Sequence, residues 1–276
     1  MVLQYVTLHN GVTIPQLGFG TYLIPNEQVA DAIKHALDAG YRHIDTAQYY
    51  KNESGIGEAL KASGINREDL FITTKVWNSH HGYEQTLEAF EESLERLKLD
   101  YIDLYLVHWP CPKFDKYVET YKALETLYKE GKVRAIGVCN FDIEHLERLF
   151  AECEIKPMIN QVECHPYFQQ KEMKRFCREH QIHFESWSPL YRGEEVLEEP
   201  IIKELAKKHG KTPAQIILRW HLQEGSIVIP KSVHPERIRK NIDVFDFTLS
   251  DEDMEWIASL DRNQQRGPVP KEMHRI

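Results

Sequence analysis

Leu70-Phe71-Ile72-Thr73-Thr74-Lys75-Val76-Trp77 is the stretch on which the fold turns. It is short, β-branched and aromatic, and charged residues precede it, so it reads as a buried strand. A lysine at the exit of such a strand must be paired or used, because an isolated buried ammonium costs several kcal/mol or more. Two nearby runs end in complementary groups. Tyr41-Arg42-His43-Ile44-Asp45 ends in an acid, and Tyr101-Ile102-Asp103-Leu104-Tyr105-Leu106-Val107-His108 ends in a histidine. Tyr50 follows the first of them. An acid, a lysine and a histidine at three strand exits, with a tyrosine beside them, make a proton-relay site.

Working outward, strand-like and helix-like segments alternate. Val6 to Ile14 carries Asn10-Gly11 between alternating β residues, a hairpin signal. Gly18-Phe19-Gly20-Thr21 is a short Gly-rich strand. Val29, Ala32, Ile33, Ala36 and Leu37 keep helical spacing and stop before Gly40. Helices are expected around Ile56–Leu60 and through Leu87, Phe90, Leu94 and Leu97. Further strands are expected at 133–138, 158–162, 182–186 and 227–229, with helices at 146–150, 173–177 and 216–222 between them. This gives eight strand–helix units after the hairpin, with no linker or low-complexity tract, and hence one domain over 1–276.

Such alternation implies a parallel sheet with crossover helices. An open doubly wound sheet and a closed (β/α)8 TIM barrel both satisfy it. The segment Gly18-Phe19-Gly20-Thr21-Tyr22-Leu23 lacks the third glycine of a dinucleotide fingerprint. Eight units and a single cluster of chemistry favour the barrel, with the N-terminal hairpin closing its bottom. In a barrel the C-terminal strand ends converge on one face, so Asp45, Lys75 and His108 become neighbours.

Composition narrows the function. The 276 residues are 42% hydrophobic and 28% charged, ordinary for a soluble globular chain. A net charge of −9 argues against a general nucleic-acid or anionic-membrane surface. The start, Met1-Val2-Leu3-Gln4-Tyr5, shows no leader, and no apolar run reaches the ~18 residues of a membrane span. Cys111, Cys139, Cys153, Cys164 and Cys177 are irregularly spaced, which suits free thiols in a reducing cytoplasm. No heptad or other association motif is present, so a monomer without an obligate protein partner is expected.

Several motifs in order resemble the aldo-keto reductase family. They are Leu17-Gly18-Phe19-Gly20-Thr21, Asp45-Thr46-Ala47-Gln48-Tyr49-Tyr50-Lys51-Asn52-Glu53, Thr74-Lys75-Val76-Trp77, Leu104 to Pro110, Gly137-Val138-Cys139-Asn140-Phe141, Asn160-Gln161 and Ile229-Pro230-Lys231-Ser232. By this resemblance Asp45, Tyr50, Lys75 and His108 form the catalytic tetrad of a reductase that uses NADPH/NADP+. The chemistry is consistent. Reduction of a carbonyl by hydride leaves an alkoxide that needs a proton. A tyrosine has a suitable hydroxyl but an ordinary pKa near ~10, and a neighbouring ammonium lowers it. Lys75 supplies that ammonium, Asp45 keeps it charged, and His108 orients the substrate oxygen. Taken singly, each residue is better explained as part of a structural ion pair or as a core histidine. Their shared position at successive strand ends favours the site.

The resemblance further implies that Asn140 and Gln161 hold the nicotinamide carboxamide and that Trp187 packs on the ring. A tryptophan there is similar to the bacterial 2,5-diketogluconate reductase branch. Gly20, Thr21, Asp45, Ser188, Leu190 and Val233 join the cofactor set. Lys231, Ser232, Arg237 and Asn241 match the site for the adenosine end and its 2′-phosphate. This segment follows the last strand, where barrels bind phosphate, and Arg offers phosphate a bidentate fork. Cys139 departs from the serine usual in the family, and a thiol donates only weakly. Tyr191-Arg192-Gly193 departs from the usual small loop over the pyrophosphate. Tyr22, Trp77 and Trp109, with Tyr50 and His108, would wall the pocket for a small-molecule carbonyl. The short tail, with Gly267, Pro268 and Pro270, is expected to be loop-like and to leave the site open to small aldehydes, α-dicarbonyls or keto-sugars. His80-His81 reads as a surface loop pair, and no metal site is expected. Two rivals are a Schiff-base isomerase using Lys75 and a cofactor-sensing regulatory barrel.

Overall fold

The computed structural model describes residues 3–276; Met1 and Val2, the start of the segment read above for a leader, lie outside the described residues. Strands β1 (Tyr5–Thr7) and β2 (Thr13–Pro15) pair antiparallel around Asn10-Gly11, where Gly11 takes φ +87°. Eight further strands form one parallel sheet in sequence order. They are β3 (Phe19–Gly20), β4 (His43–Asp45), β5 (Phe71–Val76), β6 (Ile102–Val107), β7 (Val133–Cys139), β8 (Ile159–Glu163), β9 (His183–Trp187) and β10 (Ile227–Val228). A parallel bridge from Leu17 to Val228 joins the two ends of the sheet. Gly18 N donates to Val228 O at 2.8 Å, and Val228 N donates to Gln16 O at 2.9 Å. The sheet is therefore a closed (β/α)8 barrel, and the open doubly wound alternative is excluded.

Helices α1 (Asn26–Ala39), α2 (Glu53–Ser63), α3 (Tyr83–Leu97), α4 (Tyr117–Lys129), α5 (Ile143–Glu152) and α6 (Lys171–Glu179) each follow one strand. Two helices, α7 (Pro200–His209) and α8 (Pro213–Gln223), separate β9 from β10, where the sequence reading placed a single helical pattern at 216–222. Each starts with proline at its first turn, and α7 ends at Gly210 with φ +63°. The short α9 (Pro235–Ile242) and α10 (Asp251–Ala258) complete the ring. Strands β4 to β6 are buried at every residue because the barrel interior takes one face and the helices take the other. Among the described residues no helix is long and apolar enough to cross a membrane.

The hairpin lies across the N-terminal strand ends. Asn10 Nδ2 donates to Arg134 O at 2.9 Å, and the His183 ring meets Thr7 O at 2.9 Å, beside the starts of β7 and β9. Leu8 and Ile14 are buried beneath it. With the bottom covered, the strand exits at the other end carry the open face.

Candidate active site

Asp45 ends β4, Lys75 is the penultimate residue of β5, and His108 follows β6. Tyr50 lies in the turn after β4. Asn52 ties this turn down: its amide donates to Thr21 O and Ile24 O at 3.0 Å each, and its oxygen accepts from Thr46 Oγ1 at 2.7 Å. Glu53, at the start of α2, is buried and accepts from Thr74 Oγ1 at 2.5 Å and Arg96 Nε at 2.7 Å. These two motif residues hold the loop that presents Tyr50.

Lys75 Nζ is completely buried and places its three hydrogens on three oxygens: Asp45 Oδ1 at 2.7 Å, Thr46 O at 2.9 Å and Tyr50 Oη at 3.3 Å. Burial opposes the charge most strongly, but the Asp45 carboxylate and the Tyr50 hydroxyl outweigh it and hold Lys75 protonated above its ordinary range. A fully engaged ammonium has no lone pair for a carbonyl carbon, which removes the Schiff-base rival. The Tyr50 hydroxyl differs from expectation. The Lys75 ammonium does pull its pKa down, but burial acts more strongly and the net direction is up. The phenol therefore keeps its proton. The His108 ring stands edge-on to Tyr50 at 5.7 Å and to Trp77 at 5.2 Å. Burial first, and the Lys75 charge second, hold it well below the ordinary histidine range, hence neutral. Its Nδ1 has no hydrogen-bond partner.

Above the tetrad is an aromatic cup. Tyr22 packs on Tyr50 at 5.1 Å, and Tyr49 stacks on Trp77 at 3.9 Å. Trp77, Trp109 and Cys111 form an apolar cluster with Tyr49 and Met273. All five residues expected in the pocket thus meet here. Tyr49, Met273 and Arg275 join them unforeseen; Tyr49 was at least visible as the neighbour of Tyr50. The C-terminal tail differs from the short segment expected to leave the site open. It is loop-like, as Gly267 and Pro268 imply, but it reaches across to residues at the strand exits. Glu163 accepts from Arg266 N at 2.9 Å and Gly267 N at 2.7 Å, and Asn78 Nδ2 donates to Arg275 O at 2.7 Å. Arg275 lies over the Tyr49 ring at 5.4 Å. His81 also differs: it is buried rather than a surface loop residue, and desolvation pushes it down to about 4. Among the described residues no group of three or more His, Cys, Asp or Glu converges to hold a metal ion.

Beside the tetrad, Asn140 donates to His108 O at 3.0 Å, and its oxygen accepts from Trp187 Nε1 at 2.8 Å. Gln161 Nε2 donates to Asp45 Oδ2 at 2.8 Å and to Glu185 Oε2 at 3.0 Å. Its oxygen meets only the Cys139 thiol, at 3.6 Å, the weak contact expected of sulfur. Asn140 and Gln161, expected around a carboxamide, are thus linked directly to the tetrad, and Trp187 is linked to it through Asn140. Ser188 and Leu190 lie in the loop after β9, where Ser188, Tyr191, Arg192 and Gly193 all have positive φ; Tyr191 is buried and Arg192 exposed.

Lys231, Ser232, Val233, Arg237 and Asn241 lie after β10 and on α9. The N–H of Gly20 donates to Pro230 O at 3.0 Å, and a Cβ on Gly20 would stand 2.7 Å from Ile229 O, so only glycine lets these two strands meet. Thr21 Oγ1 donates to Asp45 O at 2.9 Å, which ties this edge to the tetrad. Among the described residues Lys231 and Arg237 have no carboxylate partner, and the Lys231 Cβ is 3.7 Å from where a Cβ on Gly20 would stand. Unpaired cations at a helix start fit a phosphate.

A closed parallel barrel with a Lys–Asp–Tyr–His cluster at its strand exits defines a barrel oxidoreductase. The chain belongs to the aldo/keto reductase family, whose sequence model matches residues 16–262. It is 53% identical over 269 residues to glyoxal reductase of Bacillus subtilis, covering 97% of this chain and 96% of that protein. It is 52% identical over 266 residues to methylglyoxal reductase DkgA of Escherichia coli, covering 96% of each. A crystal structure of a Gox0644 variant in complex with NADPH superposes with a TM-score of 0.95 at 45% identity, over 99% of both chains. The protein is an NADPH-dependent oxidoreductase that reduces carbonyl groups.

Proposed function

We propose that this enzyme reduces the aldehyde of small α-dicarbonyls, with Tyr50 as the proton donor. The observation that carries this reading is the Lys75 ammonium spanning Asp45 and the Tyr50 hydroxyl at 2.7 and 3.3 Å, beneath an aromatic cup. The names of the glyoxal and methylglyoxal reductases supply the substrate class.

When bound, the reduced nicotinamide supplies the hydride. Asn140 and Gln161 would hold its carboxamide: the Gln161 oxygen, met only by a thiol, suits the carboxamide N–H groups. Trp187 would face the ring, Gly20, Thr21, Ser188 and Leu190 would line its path, and Lys231, Ser232, Val233, Arg237 and Asn241 would hold the adenosine end. His108, kept neutral, offers a hydrogen bond to the substrate oxygen without an added charge. As negative charge develops on that oxygen, Tyr50 passes its proton to it. Lys75 stabilises the phenolate left behind, and Asp45 keeps Lys75 charged. The cup of Tyr22, Trp77 and Trp109 takes the small apolar remainder. The whole chain acts as one barrel domain and as a monomer.

The test is loss of NADPH absorbance with methylglyoxal. Wild-type protein is expected to turn over, and Tyr50→Phe is expected to lose about 10²–10⁴-fold in kcat while its NADPH affinity changes little. Retained turnover in Tyr50→Phe would reject Tyr50 as the donor.

A further inference from the structure

Glu185 is an acid for which the reaction described above has no use. It sits at the middle of β9, opposite Gln161 of β8, and is completely buried. Gln161 Nε2 donates to both Glu185 Oε2, at 3.0 Å, and Asp45 Oδ2, at 2.8 Å. Two carboxyl groups thus share one amide nitrogen in a dry barrel core, and that arrangement dictates which end of the Gln161 amide faces them. The NH2 must point inward, so the oxygen points away.

The charges around this pair do not balance if both acids ionise. Lys75 on β5 is the one ammonium present, and its hydrogens go to Asp45, Thr46 O and Tyr50, leaving none for Glu185. His43 on β4 approaches Glu185 Oε1 at 3.9 Å, too far for a hydrogen bond, and its Nε2 is 3.1 Å from Thr73 Oγ1. Burial and the Lys75 charge hold His43 neutral, pushed down to about 3. The Cys139 thiol on β7 is also held neutral, since burial raises it. On the other side, β10 places Ile227 opposite Glu185. Glu185 Oε1 has no partner at all. A buried carboxylate oxygen without a donor is far more costly than a neutral, protonated carboxyl at the same place.

We propose that Glu185 is a positioning residue of the reduction: it carries a proton in the working enzyme and, through Gln161 and Asp45, keeps the carboxamide site and the Lys75–Tyr50 contact in register. The kinetic consequence rests on Tyr50 being the proton donor. Burial, and then the Asp45 charge, push the Glu185 carboxyl up to about 8. Above that pH a second negative charge stands beside Asp45. It competes for Gln161 and draws the Lys75 ammonium away from Tyr50.

Glu185→Gln keeps the shape of the neutral acid and the acceptor for Gln161 but has no proton to lose. In wild-type enzyme kcat is expected to inflect near pH 8, falling by up to about tenfold per pH unit beyond it. In Glu185→Gln that inflection is expected to vanish. Infrared difference spectra of the free enzyme give a readout independent of turnover. A protonated-carboxyl stretch is expected at neutral pH, titrating away near pH 8 and missing in Glu185→Gln. A band that survives in Glu185→Gln, or superimposable pH profiles for the two proteins, would overturn the proposal. If the wild type turns over no dicarbonyl, the substrate reading fails, and the infrared band alone still decides the state of Glu185.

Discussion

Lys231 and Arg237 show what one side chain contributes when the rest of the fold leaves it unpaired. Nearby Lys240 is held by Glu236 at 2.9 Å along α9, whereas Lys231 and Arg237 have no such carboxylate among the described residues. Burial lowers the Lys231 pKa, which a bound phosphate would reverse. Lys231→Ala and Arg237→Ala are each expected to raise the Kd for NADPH by about tenfold or more, as for loss of a charge-assisted hydrogen bond. NADH, without the 2′-phosphate, should be nearly unaffected. Equal losses for both cofactors, measured by fluorescence quenching, would contradict a 2′-phosphate role. At this scale the sequence was highly legible for Asp45, Lys75 and His108, because each breaks an apolar run at its exit. It was silent on Glu185. Ile182-His183-Phe184-Glu185-Ser186 reads as a strand, but nothing in it shows that Glu185 meets Gln161 and Asp45 in the core.

The element least legible was the tail. Gly267, Pro268 and Pro270 mark it as irregular, and an irregular segment carries no periodicity from which to infer a partner. Its anchors come from far away in the chain. Glu163 grips the backbone at Arg266 and Gly267, and Arg266 pairs with Glu194 in the loop after β9 at 2.7 Å. A Cβ on Gly267 would come within 2.5 Å of Trp187, so the tail presses directly on that ring. Glu163→Gln replaces a charged acceptor by a neutral one and weakens this grip. Amide hydrogen exchange at Arg266 and Gly267 is expected to speed up by about tenfold, with little change in the strands. Unchanged exchange would mean that the tail is held by other contacts. Helix α7 is also hard to read, since between β9 and β10 only the α8 pattern of Ile216 to Leu222 stands out in the sequence. The charged, Lys-rich α7 hides a narrow buried stripe of Ile202, Leu205 and Ala206.

For the whole molecule, placing acids in the barrel core makes stability depend on pH. The Glu185 carboxyl moves from its ordinary 4.5 to about 8 on folding, with burial the chief cause and Asp45 next. Between those values the folded chain binds more protons than the unfolded one. Stability from this group is therefore fully present below about 4.5 and is lost as pH rises through about 8. Wild-type Tm is expected to decline over that interval, and Glu185→Gln to decline less. Parallel curves for the two proteins would remove Glu185 as the source.

The closure of the barrel is also an event in time. Gln16 Nε2 donates to Leu222 O and Ser226 O, partners 206 and 210 residues away, and Leu17 bridges to Val228. In a chain emerging from the ribosome, β3 can pair one edge with β4 early, but its other edge has no partner until nearly all of the chain has been made. At about 5–20 residues per second, β3 waits roughly ten to forty seconds with one edge unpaired. During that interval the growing sheet exposes the kind of edge that invites association with other chains, so the synthesis of this enzyme is most vulnerable just before its last strand arrives.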